Sequence, residues 1–162
     1  LFHRLYDWAG EERTVSISKG NLFCLPQFIN KFADEIFTQL KKEKYFLDYN
    51  KEEIRFKLAD VYADLNALHP FREGNGRTLR VFIECLSKIN GINLNISQVS
   101  CKEMLIANQK ALNGDNNYLY QIFINNSQPL SKEEQIEYIN LYCSPNFLKG
   151  LQNINELKKH LK

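Results

Sequence analysis

The stretch HPFREGNGRTLR, residues 69–80, places a histidine, a carboxylate, three arginines and a Gly-Asn-Gly triplet in twelve positions. Apolar residues recur at helical spacing before it, up to Leu68, and again after it, from Leu79 to Ile89. Pro70 disfavours helical dihedral angles at the residue before it, so the first helix should end at about His69. The stretch is therefore predicted to be a helix-loop-helix joint.

The remaining sequence also favours helices. Of the 162 residues, 44% are apolar, a composition that suits one compact domain over residues 1–162. The spacing of apolar residues predicts an all-α fold in which Asn90-Gly91 ends the helix after the joint. Further helices are predicted at about Pro26 to Lys44, Ser97 to Asn113, Asn116 to Asn125, Ser131 to Tyr142 and Asn146 to the C-terminus.

Residues 13–26 depart from the helical pattern. Val15 and Ile17 alternate with polar residues, and Lys19-Gly20-Asn21 then supplies a turn before a second short apolar run. This pattern predicts a β-hairpin. If the hairpin packs on a helical body, its outer edge keeps N–H and C=O groups that can pair with an extended peptide.

Composition excludes several classes of protein. Twenty-one Lys and Arg stand against nineteen Asp and Glu, so no large basic field indicates a nucleic acid or an anionic membrane as partner. No apolar run approaches the ~20 residues that a membrane span needs. The four cysteines lack the C-x-x-C spacing of zinc ribbons, which favours reduced, mostly buried thiols in a cytosolic protein. They are Cys24, Cys85, Cys101 and Cys143.

The triplet Gly74-Asn75-Gly76 lies directly before a predicted helix. Successive backbone N–H groups at such a helix start form an anion-binding concavity, and the glycines let a ligand approach the backbone closely. A simpler interpretation is a helix N-terminus capped by Asn75. Arg77 and Arg80 favour the phosphate site, because residues three apart lie on the same side of the first helical turn.

Glu73 and His69 precede the triplet and add two further chemical functions, metal binding and proton transfer. A carboxylate beside bound phosphates repels them unless Mg²⁺ lies between, and Mg²⁺ takes one or two carboxylates together with phosphate oxygens. Otherwise Glu73 is a first-turn residue that interacts with the helix dipole. His69 titrates near neutral pH and is a candidate general base, or else a structural cap.

Two common nucleotide motifs do not fit the stretch. The phosphate-binding loop of strand-containing NTPases needs a lysine and then Ser or Thr after its second glycine, and here Arg77 follows Gly76. The dinucleotide fingerprint needs a βαβ unit, which the surrounding helical pattern does not provide.

The stretch resembles the signature of Fic domains, H-x-F-x-[D/E]-G-N-G-R-x-x-R, at every defining position. RLYDWAGEERTVSISKGN, residues 4–21, resembles the family's segment leading into its hairpin, and Asn113-Gly114-Asp115 resembles its later Gly-Asp turn. The similarity spans roughly residues 1–125 and is strongest to bacterial proteins of the cell-filamentation type. It implies a Fic-like helical bundle with a small β-hairpin flap.

The resemblance further implies a protein adenylyltransferase, which transfers AMP from ATP to a Ser, Thr or Tyr hydroxyl of a target protein. His69 would take the hydroxyl proton, Phe71 would anchor the loop and Glu73 would hold Mg²⁺. The residues that would bind the phosphates are Gly74, Asn75, Gly76, Arg77 and Arg80. The flap residues Ile17, Ser18, Lys19 and Gly20 would align an extended segment of the target by strand addition.

The same resemblance leaves alternatives open. The Doc branch, which transfers phosphate, lacks the second glycine and the last arginine, so Gly76 and Arg80 favour AMP transfer. Two other interpretations stay open. One is a Fic-fold enzyme that uses another donor or removes AMP, and the other is a non-catalytic helical interaction domain. Leu112 and Tyr118 are candidates for the base pocket.

Many Fic proteins carry an inhibitory helix with the pattern [S/T]-x-x-x-E-[G/N], and no Ser or Thr of this sequence fits it. We expect a separate small inhibitory protein, an antitoxin, rather than residues before Leu1. A cytoplasmic location is expected, with secretion into a host cell as an alternative.

Overall fold

The computed structural model describes residues 7–143. This part contains six α-helices and two antiparallel two-stranded sheets. In chain order they are β1 (Ser18–Lys19), β2 (Asn21–Leu22), α1 (Ile29–Lys42), α2 (Lys51–Leu68), α3 (Asn75–Ile89), β3 (Ile92–Leu94), α4 (Cys101–Leu112), α5 (Asn117–Asn125), β4 (Ser127–Pro129) and α6 (Lys132–Tyr142). The prediction of a mostly helical fold with a small hairpin is confirmed.

Helices α2 and α3 form the centre of the fold. A capping box between Asn50 and Glu53 starts α2, satisfying N–H groups that have no partner inside the helix. The helix ends at Leu68, and His69 then takes a left-handed conformation with φ 44° and ψ 59°, which turns the chain toward α3. Side chains of both helices enter one core with α4, α5 and β3, including Leu58, Tyr62, Ile83, Ala107, Leu119 and Phe123.

The hairpin is shorter than its sequence pattern suggests. Regular pairing covers only Ser18 with Leu22 and Lys19 with Asn21, around Gly20 at φ +83°. The carbonyl of Val15, which would pair with the opposite strand in a longer hairpin, instead accepts a hydrogen bond from the Arg13 guanidinium. The same guanidinium donates to the carbonyl of Cys24. Val15, one of the two apolar residues of the alternating pattern, is exposed.

A second small sheet was not predicted. In it β3 pairs with β4 in antiparallel register, with Asn93 opposite Gln128. Its two short strands lie more than thirty residues apart in sequence, and Pro129 ends β4 with no N–H to donate. The short strand β3 and a turn of 3-10 helix (Ile96–Gln98) occupy the residues before α4. This helix therefore begins at Cys101 rather than Ser97.

Three other predictions need correction or lie outside the described range. Phe28 lies within the helix predicted from Pro26 to Lys44, where its helical spacing with Phe32, Ile36 and Leu40 indicates the apolar side of that helix. It instead ends a 3-10 turn and is exposed, whereas Ile29 is buried. None of the four cysteines is fully buried, and Cys101 at the start of α4 is exposed. The helix predicted from Asn146 onward lies outside the described residues. Within residues 7–143, no helix combines the length and apolar character needed to cross a membrane.

Replacing Ile83 tests the central core. Its side chain is fully buried in α3, so Ile83→Ala should lower the free energy of unfolding by ~2–5 kcal/mol through a cavity. Val81, two residues away, is 61% exposed, and Val81→Ala should change stability by no more than about 0.5 kcal/mol. Urea denaturation of both variants measures the difference, and equal losses would contradict this assignment of the core.

Candidate active site

A cavity of about 430 Å³ lies between the hairpin, the joint after α2 and the side of α4. The joint contributes every residue from Arg72 to Arg77, together with His69 and Arg80. The hairpin contributes Lys19, and the segment that follows it contributes Phe23. The structure thus brings the residues singled out in HPFREGNGRTLR around one space, as expected for a ligand site.

The N-terminus of α3 opens into this cavity. Gly74 precedes the helix with φ 86°, a left-handed conformation that favours glycine. The N–H groups of Arg77 and Thr78 both reach the carbonyl of Gly74 at 3.0 Å. The N–H groups of Asn75 and Gly76 have no acceptor within the described residues, so they and the helix dipole can bind an anion.

Asn75 holds the joint in shape rather than capping the helix by itself. Its side chain accepts a hydrogen bond from the Phe71 N–H at 2.9 Å and donates one to the Phe71 carbonyl at 2.7 Å. The residue is buried and is the first of α3, while Gly74 occupies the cap position without a side-chain bond. The simpler interpretation, a cap formed by Asn75, is therefore wrong.

Arg77, Arg80 and Glu73 place charge around the helix start. Arg77 Nη2 lies 3.9 Å from Glu73 Oε1, and both side chains are more than half exposed, so water screens this pair strongly. A Cβ built on Gly76 would lie 3.8 Å from Arg80 Nη1. This is an ordinary van der Waals distance, and Gly76 has helical dihedral angles within α3, so neither space nor backbone conformation within the described residues requires glycine here.

The hydrogen bonds of His69 define which ring nitrogen carries the proton. Nδ1 lies 3.2 Å from the backbone carbonyl of Asn66. A carbonyl oxygen only accepts, so Nδ1 carries the hydrogen in the neutral ring and Nε2 keeps a lone pair. The ring also stacks on Phe23, with centroids 3.8 Å apart and planes 12° from parallel. The orientation of the imidazole is therefore fixed on two sides.

The surroundings of His69 favour its neutral form. Burial lowers the pKa of His69 below its ordinary value, and the cations of Arg13 and Lys19 act in the same direction. The hydrogen bond to Asn66 and the charge of Glu73 oppose this shift without reversing it. His69 is thus poised to accept a proton at neutral pH.

The hairpin tip is attached to α4. The amide of Asn21 donates to Asn113 Oδ1 at 3.2 Å, and a Cβ on Gly20 would lie 3.2 Å from Gln109 Nε2. Phe23 N–H bonds to Ile17 O, so these opposed residues form a hydrogen-bonded pair and the next pair, Ser18 with Leu22, is non-hydrogen-bonded. The backbone N–H and C=O of Ser18 therefore point outward from β1.

The wall formed by α4 was not predicted from the sequence, apart from Leu112 at its end. Its contributors share no motif and are Cys101, Met104, Leu105, Asn108, Gln109 and Leu112. Asn108 has a buried Oδ1 without a hydrogen-bond partner among the described residues, which leaves it available to a ligand. Leu112 lines the cavity as expected, whereas Tyr118 packs against the main core.

Solved structures with this fold include Fic domains. BepC from Bartonella tribocorum, solved with bound AMPPNP, matches with a TM-score of 0.72 and 25% identity over 80% of this chain and 70% of that one. The N-terminal Fic domain of a cell filamentation protein from Bartonella quintana, solved with bound ADP, matches with a TM-score of 0.75 and 24% identity, covering 83% of this chain and 71% of that one.

The chain belongs to the Fic/DOC family, whose model matches residues 1–87. The probable protein adenylyltransferase y4lH of Sinorhizobium fredii is 37% identical over 71% of this chain and 61% of its own length. The protein adenylyltransferase VbhT of Bartonella schoenbuchensis is 33% identical over 85% of this chain and 29% of its own. The match to each therefore covers less than two thirds of that relative.

Removing the Asn75 side chain tests how the joint is held. Asn75→Ala leaves the N–H and C=O of Phe71 unpaired, which should lower the free energy of unfolding by about 1–3 kcal/mol. Asn117 begins α5 and bonds Asp115 on the surface, so Asn117→Ala should cost no more than about 0.5 kcal/mol. Urea denaturation compares the two, and an Asn75→Ala protein as stable as Asn117→Ala would contradict this role.

Proposed function

We propose that the chain is a protein adenylyltransferase, which transfers AMP from ATP to a hydroxyl of a target protein. The observation that carries the proposal is the juxtaposition of a neutral His69, protonated on Nδ1, with the anion site at the start of α3 in one cavity. The names of the relatives, which are protein adenylyltransferases, support the same activity.

In the proposed step, the hydroxyl oxygen of the target attacks the α-phosphorus of ATP. The bond from that phosphorus to the oxygen bridging the α- and β-phosphates breaks, and pyrophosphate leaves. Nε2 of His69 takes the hydroxyl proton, so the nucleophile gains charge as the new bond forms. The low pKa of His69 keeps this nitrogen unprotonated before the reaction.

The phosphates are proposed to bind along α3. The N–H groups of Asn75 and Gly76, with Gly74 before them, receive the phosphate oxygens nearest the helix start. Arg77 and Arg80 hold the phosphates that leave, because an arginine fork matches phosphate geometry. Positioning and electrostatic stabilisation of the leaving charge then supply most of the rate enhancement.

Glu73 is the residue proposed to hold Mg²⁺. Its carboxylate is exposed beside the cavity, and no group of three or more His, Cys, Asp or Glu that could bind a metal occurs in residues 7–143. A single carboxylate with phosphate oxygens and waters fits the way Mg²⁺ is commonly bound. When bound, the ion supplies positive charge that neutralises the phosphate oxygens.

The target protein is proposed to dock on β1 by strand addition. Ser18 and Lys19 are exposed, and the outward N–H and C=O of Ser18 are suited to pair with an extended segment. Asn21 on the other strand already bonds to α4, so we assign the target to the β1 side. Lys19 lines the cavity with His69, so a segment paired here lies beside the proposed base.

A separate small inhibitory protein that reaches Arg80 is a further proposal, which rests on the resemblance to inhibited members of the family. Arg80 is half-buried in the same cavity, so such an inhibitor would compete with the nucleotide phosphates.

Labelled ATP tests the activity. The purified chain, Mg²⁺ and a cell lysate are incubated with ATP labelled at the α- or, separately, the γ-phosphate. We expect α-label on protein, reduced by about 10²–10⁴-fold in His69→Ala through loss of the general base, while ATP binding is retained. Ile83→Ala, a core change away from the site, serves as the control for loss of stability.

Transfer of γ-label in place of α-label would replace AMP transfer by phosphate transfer. Equal α-labelling by wild type and His69→Ala would remove His69 as the base. Mass spectrometry of the labelled protein identifies the modified hydroxyl and the added group.

Proline at position 18 tests strand addition. Ser18→Pro removes the outward N–H, and the loss of one hydrogen bond worth about 0.5–1.5 kcal/mol should raise the target's KM roughly 2- to 12-fold. Ser18→Ala keeps the N–H and should retain target labelling. ATP affinity, measured by titration, should be the same in both variants. A target KM unchanged in Ser18→Pro would exclude pairing at this position.

A further inference from the structure

Arg13 is an arginine whose side chain is almost entirely buried, at 2% exposure. No carboxylate of the described residues forms an ion pair with it, and backbone carbonyl groups surround it instead. Burying a guanidinium costs free energy unless its donors are satisfied. A residue of this kind is expected to organise the backbone around it.

The carbonyls that Arg13 binds come from two parts of the chain. Nε donates to His69 O at 2.7 Å, and Nη2 also reaches Leu68 O at 3.4 Å, both at the end of α2. Nη1 donates to Val15 O at 2.9 Å and Nη2 to Cys24 O, one on each side of the hairpin. The guanidinium thus joins both legs of the hairpin to the end of α2.

Backbone hydrogen bonds also join the hairpin segment to the end of α2. The N–H of Arg13 donates to Pro70 O at 2.9 Å, and the N–H of Cys24 donates to Ala67 O at 2.9 Å. The hairpin base is therefore fastened to the end of α2 from residue 67 to residue 70. Phe23, beside Cys24, is held in this way against the face of the His69 ring.

His69 needs such support because of its backbone conformation. A non-glycine residue at φ 44° is disfavoured, and the following proline restricts it further. The C-terminal carbonyls of α2, including Leu68 O and His69 O, lack partners within the helix. Arg13 satisfies both and places its positive charge at the negative end of the helix dipole.

We propose that Arg13 is a positioning residue that sets the orientation of His69 and couples it to the hairpin on which the target docks. It does not contact the proposed reacting atoms. One cation bonded to both structures makes the placement of the base depend on the placement of the hairpin. The kinetic part of this inference rests on the proposed function, whereas the structural part does not.

Arg13 also contributes to the electrostatics around His69. The charged groups that act on the ring are Arg13, Lys19 and Glu73. Three further arginines line the same cavity, and they are Arg72, Arg77 and Arg80. Loss of Arg13 removes a cation that lowers the pKa of His69. The acid limb of the pH-rate profile should therefore move to higher pH in Arg13→Gln and stay near its original position in Arg13→Lys.

The deciding experiment is an NMR spectrum of the full chain with isotope-labelled histidine. His69 is one of three histidines, and its ring signals are assigned by their loss in His69→Ala. Stacking on Phe23 shields the His69 ring protons, so their signals should lie upfield. Arg13→Gln should move these signals to ordinary histidine positions. Arg13→Lys should move them to positions between those of the wild type and Arg13→Gln, because one ammonium nitrogen can bond only some of the carbonyl groups that the guanidinium bonds.

Arg55→Gln is the matched control. Arg55 is half-buried and its Nε donates to Ser127 Oγ at 2.6 Å, so its loss tests the general cost of removing a long-range arginine contact. This variant should unfold at lower temperature than wild type while its His69 signals stay shielded.

Kinetics provide the second readout. In Arg13→Gln, kcat should fall by about 10²-fold, as expected for a displacement of ~1 Å at a reacting group. The Kd for ATP should be unchanged, because α3 holds the phosphates. Arg13→Lys should recover part of kcat.

Shielded His69 signals in folded Arg13→Gln would overturn the proposal, whatever the transfer activity. If Arg13→Gln does not fold, unmoved signals in Arg13→Lys would overturn it instead. Absence of α-label transfer by the wild type would refute the proposed function alone, since the shielding of His69 is measured without substrate.

Discussion

The reciprocal hydrogen bonds between the Asn75 amide and the backbone of Phe71 are the constraint on which the site depends. Pro70, directly before Phe71, has no backbone N–H to donate, and the Asn75 side chain closes the turn from Phe71 to the start of α3. Asn75 is the first residue of α3, and Phe71 is two residues after His69. The two bonds therefore fix the helix start, and with it the proposed anion site, relative to the imidazole.

The structural features that the sequence could predict are formed by residues close together along the chain. The end of α2, the turn and the start of α3 occupy one contiguous stretch, so their residue types define the joint without tertiary information. Pro70 predicted the end of the helix, and Gly74 at φ 86° has the conformation that glycine permits. Gly76 shows the limit of that argument, because its dihedral angles are helical and do not require glycine.

Contacts between distant residues account for what the sequence did not predict. Arg13 and His69 are 56 residues apart, and a single arginine before an alternating run is usually solvent-exposed. The pairing of β3 with β4 joins strands too short for a periodic signal. On α4, polar residues such as Asn108 face the cavity only because of how the helix packs, so helical periodicity alone could not distinguish them from surface residues.

The position of α4 in the chain has an evolutionary consequence. The family model matches residues 1–87, which contain the hairpin, His69 and the start of α3, whereas α4 begins at Cys101. One wall of the cavity, including the Asn108 Oδ1 that has no partner among the described residues, therefore lies outside the segment that the family model matches. Substitutions on this wall can accumulate during evolution and change the shape and polarity of the cavity without altering the joint.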